Sequence, residues 1–403
     1  MSTQPRALKT IEALLAKGVD IPNPLTLDIG PEVDPARISG DGAKLYPGCR
    51  IYGAKTVISA GVKLGAEGPQ TIDDCRLGPN VELKGGYAAK SVFLDGANLS
   101  LGHHVREGSI LEEEAGGAHC VGLKQTILFP FVTLGSLINF CDCLMAGGTS
   151  RSDHSEVGSS YIHFNFTPSG DKTTPSVFGD VARGVMLRER PIFLGGQGGT
   201  VGPVTVGFGS VVAAGSVLRD DVPEGQLVMT GALPARRTPF VPSTYRAAYR
   251  IVAKNIAYLA GLRALGEWYA HARAPFFAAQ DLGPLVLEGA LEALEAAKKE
   301  RRKRLEAMAA KVSPDDEDRL RLRERIAEVC SELVKAPLRT PAPEQLFEAL
   351  EKAAAGGTTY IAAIKALSDD EVAAGTAWLD GIIEELWAGA AERLPALGRE
   401  TRG

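Results

Sequence analysis

The apolar positions of this chain follow two rhythms that meet near residue 240. In "VGPVTVGFGSVVAAGSVLRDDVPEG", Val201 to Gly225, aliphatic side chains return every sixth position, at Val206, Val212 and Leu218. A helix repeats near 3.6 residues and a half-buried strand near 2, so a step of six belongs to neither. It suits a coil of short strands and tight corners in which each flat side takes six residues. The same step runs through Leu45, Ile51 and Val57, through Leu77 and Leu83, and through Val121 and Ile127. Slips between these runs mark inserted loops. In "VGFGSV" and "VAAGSV" the first position carries the inward aliphatic side chain, Gly or Ala allows the turn, and Ser is small enough for a corner. The pattern predicts a parallel β-helix over residues 25–240, whose neighbouring coils bury one another's apolar residues. An antiparallel meander has no reason to hold a period of six.

Both ends read as helix. Residues 5–17 form a short helix closed by Gly18 and followed by the exit "IPNP", which makes 1–24 a lead-in. From 241 to 403 the apolar residues stand three and four apart, so this region is all-α. "STYRAAYRIVAKNIAYLAGLRALGEWYAHAR" predicts a helix capped by Ser243, and "LVLEGALEALEAAKKERRKRLEAMAAKV" a second. "SPDDEDRLRLRERIAEVCSELVKA" predicts a third, capped by Ser313 with Pro314 in its first turn. The run "KKERRKR" reads as a solvated helix face. A bundle packed on itself or on neighbouring subunits is expected.

Charge and cysteine usage narrow the function classes. The 44 basic and 49 acidic residues give a net charge of −5, which argues against a dedicated nucleic-acid surface. "QTILFPFVTLGSLINFC" is an uncharged, largely apolar run, too short and too interrupted for a membrane span, and reads as buried sheet. The six cysteines form no CxxC pair and "MSTQPRALKTIEALLAKG" lacks a secretory core, so a cytoplasmic protein with reduced thiols is expected. Cys141 and Cys143 alternate onto one face of a strand and read as small core residues rather than a metal site. The histidines at 103, 104, 119, 154 and 163 lack the i, i+5 spacing of a zinc site shared between coils, and no metal is expected.

The phrase "VGPVTVGFGSVVAAGSVLRDDVPEG…TGALPAR" resembles the last coils of hexapeptide-repeat acyltransferases. These are left-handed β-helices ending near a Gly-x-Pro-Ala-[Lys/Arg] motif, present here with one extra residue as Gly231 to Arg236. The left hand is an exception among crossovers and comes from the resemblance alone. "HFNFTPSGDKT" and "GGTSRSDHSEVG" carry the likeness further, to the acetyltransferase half of the bifunctional bacterial enzyme that makes UDP-N-acetylglucosamine. The likeness covers roughly residues 121–237, and the coils from residue 38 onward more loosely.

Transfer of an acetyl group from acetyl-CoA needs a base for the acceptor's proton, donors for the developing oxyanion, and two substrates held in line. The resemblance implies a homotrimer with acetyl-CoA between subunits. Ala214 would offer coenzyme-facing backbone and Arg236 a cation for the coenzyme phosphates. His154 is the first candidate base and His163 the second. Asn165 and Lys172 would meet an amino-sugar phosphate or nucleotide sugar, and Arg183 and Arg188 would add phosphate contacts. Two departures stand out: "LINFCDCLMAGG" has no lysine where the family grips acceptor phosphate, and "HSEVGSS" lacks the tyrosine expected after the base. They keep open an alternative from another class, a non-catalytic trimeric scaffold or sugar-nucleotide-binding protein. The family's nucleotidyltransferase half has no counterpart in residues 1–24, so pyrophosphorylase activity is not expected.

Overall fold

Leu45 lies over Leu64, Leu64 over Leu83 and Leu83 over Leu99, each fully buried, one coil above the next. This stacking of like on like is what the step of six encodes, and each buried leucine contributes roughly 1.5–3 kcal/mol. A computed structural model describes residues 6–163 and 172–400. In it, strands from Asp28–Ile29 to Leu227–Val228 wind into a left-handed parallel β-helix of about 11 turns. Its section is a triangle. Wall 1 holds Arg50–Tyr52 and its coil-to-coil partners, wall 2 Val57–Ile58 and wall 3 Lys44–Leu45. Val206, Val212 and Leu218 fall on walls 2, 3 and 1 in turn. One early step slips: Ile58 stacks on Leu77, while Val57 pairs with the outward Arg76, so the coil holds an extra residue there.

The edge between walls 1 and 2 turns through left-handed backbone at Asp74, Lys90, Gly108, Gln125 and Asp142 (φ 48° to 75°). Glycine takes this conformation without strain; the other four are held in it by the coils above and below. The corner at Asp142 corrects the reading of the cysteine pair. Cys141 belongs to wall 1, opposite Lys124, and Cys143 to wall 2, opposite Thr126 and Ser176, so strand alternation does not carry across them.

Outward rows decide what covers each wall. On wall 2 the row Val57, Arg76, Val92, Ile110, Ile127 and Leu144 is buried and, apart from Arg76, which pairs with Glu292 of the helical region, apolar, because the helical region packs over it. On wall 3 the outward row is polar from Lys44 to Glu156 and then turns apolar at Phe193, Val211 and Leu227. Two described segments leave the coil between walls 2 and 3, a hairpin of Gly148–Ser150 and Asp153–His154 and a second insert after Ser176–Phe178. Ser160–Ile162 lies on wall 1 and Ser176–Phe178 on wall 2, and residues 164–171 between them are outside the described residues.

Nine helices are described. Helix α1, Leu8–Lys17, ends in left-handed Gly18 (φ 104°), and α2, Val181–Gly184, lies in the second insert. The C-terminal region holds α3 Ala248–Trp268, α4 Ala274–Ala278, α5 Gly283–Ala309, α6 Glu317–Lys335, α7 Glu344–Ala355, α8 Tyr360–Ala366 and α9 Asp369–Arg393. Two expected caps are corrected. Helix α3 starts five residues beyond Ser243 without a side-chain cap, and α6 is capped by Asp316, whose carboxylate accepts from the Arg319 N–H. Both α3 and α5 lie on wall 2, α5 across Arg76–Leu77 and Val92–Phe93, α3 across Ser176–Phe178. Among the described residues no helix is long and apolar enough to cross a membrane.

Candidate functional site

His154 closes the hairpin at the wall 2–3 edge. Its Nδ1 lies 2.9 Å from the Arg151 carbonyl oxygen, an atom that only accepts, so Nδ1 carries the proton and Nε2 keeps its lone pair. The hairpin is braced from within by Thr149 donating to Asp153 at 2.8 Å. It is pinned to the coils beneath by Arg151, which donates to the carbonyls of Phe131 (2.9 Å) and Glu114 (3.1 Å) and to Thr133 Oγ1 (2.9 Å). A half-buried imidazole with a fixed tautomer on a rigid mount is suited to take a proton at Nε2.

His163 sits on a different edge, between walls 1 and 2, with Nε2 2.6 Å from Ser176 Oγ and 3.8 Å from Cys143 Sγ. Burial, then the nearby Arg301 guanidinium, push its pKa down to about 3, against a small opposing effect from the Cys141 backbone. Such an imidazole stays neutral at physiological pH and has little affinity for a further proton. Its position suits hydrogen bonding better than base catalysis. Lys172 joins it in lining a cavity of about 250 Å³, roofed by α5 through Arg301 and Arg304.

The remaining expected residues are dispersed. Asn165 lies outside the described residues. Arg183 is held by Asp180, Glu189 and Glu224 and lies over the Phe208 ring, so three carboxylates already surround it. Arg188 donates to the carbonyls of Lys365 (3.3 Å) and Leu367 (2.7 Å), which ties the second insert to the helical region. Ala214 is exposed at the turn from wall 3 to wall 1, and Arg236 is exposed in the extended segment after the last coil. His154, His163 and Ala214 thus occupy three different edges of one prism. Among the described residues no group of three or more His, Cys, Asp or Glu is placed to hold a metal ion.

Sequence reasoning missed Arg151 and Arg301. Arg301 stands in "KKERRKR", read as solvated, yet it is only 3% exposed, with Nη2 2.7 Å from Asp142 Oδ1 and Nη1 3.2 Å from the Lys172 carbonyl. The signal was its phase: Leu294, Ala297, Lys298, Arg301 and Leu305 keep helical spacing and share the buried stripe of α5.

Comparison with known proteins agrees with the repeat. The bifunctional protein GlmU of Thermotoga maritima is 29% identical over 54% of this chain and 43% of its own length. That of Carboxydothermus hydrogenoformans is 27% identical over 57% and 46%, and that of Nitratidesulfovibrio vulgaris 31% over 53% and 41%. The chain resembles hexapeptide-repeat acyltransferases. It spans less than half the length of these curated relatives. No family profile matches the sequence. A solved structure, the polySia specific acetyltransferase NeuO, aligns over 56% of this chain and 86% of that one at 12% identity, with a TM-score of 0.16, too low to bear on function.

Proposed function

We propose that the protein is an acetyl-CoA-dependent acyltransferase acting on an amino-sugar phosphate or nucleotide sugar, and that it works as a cytoplasmic homotrimer. The similarity to GlmU proteins supports the class of reaction, and the observation that carries the reading is His154 on its pinned hairpin with Nε2 free. In the step, the acceptor amine attacks the thioester carbonyl while His154 Nε2 takes its proton. The C–N bond forms, the C–S bond breaks, and the proton passes from His154 to the departing thiolate. No enzyme nucleophile is needed, since alignment of the two substrates removes much of the barrier.

The dispersal of residues over three edges supports the trimer. Within one chain the His154 edge and the Ala214 edge face apart; a neighbouring copy brings one against the other. The exposed apolar row Phe193, Val211 and Leu227 borders the Ala214 edge and is a surface such a copy would cover. Arg236, and Arg237 beside it, would meet the coenzyme phosphates; Lys172 and Asn165 would meet the acceptor.

The test is thiol release from acetyl-CoA with glucosamine-1-phosphate and related amino sugars as acceptors. Turnover is expected, falling by about 10²–10⁴-fold in His154→Ala with the coil intact. No release from the panel, together with no coenzyme binding by calorimetry, would replace this reading with the non-catalytic scaffold.

A further inference from the structure

The cavity at the wall 1–2 edge is unlike the rest of this acidic protein. Arg106 and Lys124 sit on adjacent coils in register, about 4.8 Å apart along the stack, where like charges destabilise each other unless an anion lies between them. Lys172, four residues before Ser176–Phe178, lines it too, with Arg301 and Arg304 from α5, so five cations converge on the chamber.

The carboxylates nearby do not balance them. Asp142 is taken by Arg301, Glu300 by Arg304 at 2.7 Å, and Glu107 by Lys124 at 2.9 Å. Arg106 and Lys172 pair with no carboxylate among the described residues, and both are exposed at the mouth. Behind them stand groups that add no negative charge. Burial pushes the Cys141 thiol up to about 11, with Asp142 adding to the rise, so it stays protonated; His163 stays neutral; and Thr174 offers a hydroxyl. A planar guanidinium buried at the back, point charges at the rim and neutral donors between them match a phosphate group. The volume of about 250 Å³ leaves room for a small organic residue attached to it.

We infer that the helical region completes a binding site for a phosphate ester at the wall 1–2 edge, with Arg106, Lys124 and Lys172 from the β-helix and Arg301 and Arg304 from α5 as its cations. The site does not depend on acyl transfer. It gives α5 a role in binding and places cations beside "LINFCDCLMAGG", where the β-helix itself carries no lysine. The ester is either the acceptor or an effector that is not consumed.

Titration calorimetry of the full chain, without acetyl-CoA, against inorganic phosphate, glucosamine-1-phosphate and unphosphorylated glucosamine tests this. Saturable binding of the phosphate compounds, weakened by added salt, with none of glucosamine, is expected. Arg106→Gln with Lys172→Gln alters two exposed side chains and is expected to weaken binding at least tenfold with an unchanged melting temperature. Equal affinity in wild type and double variant, or no saturation by either phosphate compound, overturns the inference. His154→Ala is expected to bind normally, so a failed turnover assay leaves this result standing. Acetylation of the bound ester marks it as acceptor, and a rate that changes with the ester unconsumed marks it as effector; both support the site.

Discussion

His103 and His154 share one local device, an Nδ1 facing a backbone carbonyl three residues earlier, but His103 is buried and His154 only half-buried. In His103 the carbonyl is that of Ser100 at 3.0 Å, and the ring is buried within the coil. Burial, then the adjacent His104, push its pKa down to about 4, against the Ser100 carbonyl. An unfolded chain would bind this proton near pH 6.5, the folded chain only near 4. Stability from this group is therefore full above pH 6.5 and lost as pH falls toward 4, and His163 adds to the same fall from pH 6.5 and extends it toward pH 3. Replacing His103 by Gln should flatten the fall of unfolding free energy between pH 6.5 and 5 by up to about 1.4 kcal/mol per unit. Urea titrations at several pH values measure this; a variant whose slope equals the wild type's would show that His103 titrates normally in the fold. At this scale the sequence named His154 and His163 as chemistry and ranked His154 first only by its place in the loop. The two half-buried rings differ in what surrounds them: Ser176 and an arginine 138 positions away in the chain for His163, and a carbonyl of its own hairpin for His154.

The elements were legible wherever periodicity alone determines them. The step of six located the coils and the 3.6 period located α3, α5 and α6. Caps were not legible, because Ser243 and Ser313 each stand near a better-placed start: Ser313 donates to Asp315, and Asp316 then caps α6. Docking of helix on coil was half legible. The paired apolar residues of wall 2, such as Val92-Phe93 and Ile110-Leu111, announce a wall buried on both sides, but not by what. Part of the answer is ionic. Arg273, 1% exposed, in the π-helical segment Tyr269–Arg273 that joins α3 to α4, donates to Glu112 and Glu113 at 2.7 Å each, and Tyr269 donates to Glu112 at 2.7 Å. Nearby Asp95 has its pKa pushed up to about 7, chiefly by burial and then by Glu113; burial also raises that of Glu112. Groups raised in this way stabilise the fold below the ordinary carboxylate range and lose that contribution as pH rises through 7. Arg273→Met would leave these carboxylates buried without their cation, at a cost of about 3–5 kcal/mol. Scanning calorimetry should show the helical region melting earlier, with a larger loss at pH 8 than at pH 6, where protons substitute for the guanidinium. Identical melting of variant and wild type at pH 8 would mean the cluster does not hold the two regions together.

At the scale of the whole molecule walls 2 and 3 of the prism are unequal. Wall 2 is buried by the chain's own helices. Wall 3 changes character along its length: its outward row is Lys44, Lys63, Glu82, Asn98, Gly116, Thr133 and Glu156, then Phe193, Val211 and Leu227. Leu227 is 66% exposed and Met229 beyond it 76%. Apolar side chains confined to the last coils, in register and exposed, would contribute about 25 cal/mol per Å² if an assembly buried them. In the proposed trimer a copy seated there would also bring the Ala214 edge toward another chain's His154 edge, so assembly and proposed activity should fail together. Light scattering on the wild type is expected to give three chain masses. Val211→Lys with Leu227→Lys places two ammonium groups on that row and should give one chain mass with the β-helix still folded, since both positions point away from the coil interior. A wild type that runs as a single chain, or a double variant that keeps three, would assign these residues to something other than the threefold contact and leave the Ala214 edge without its neighbour.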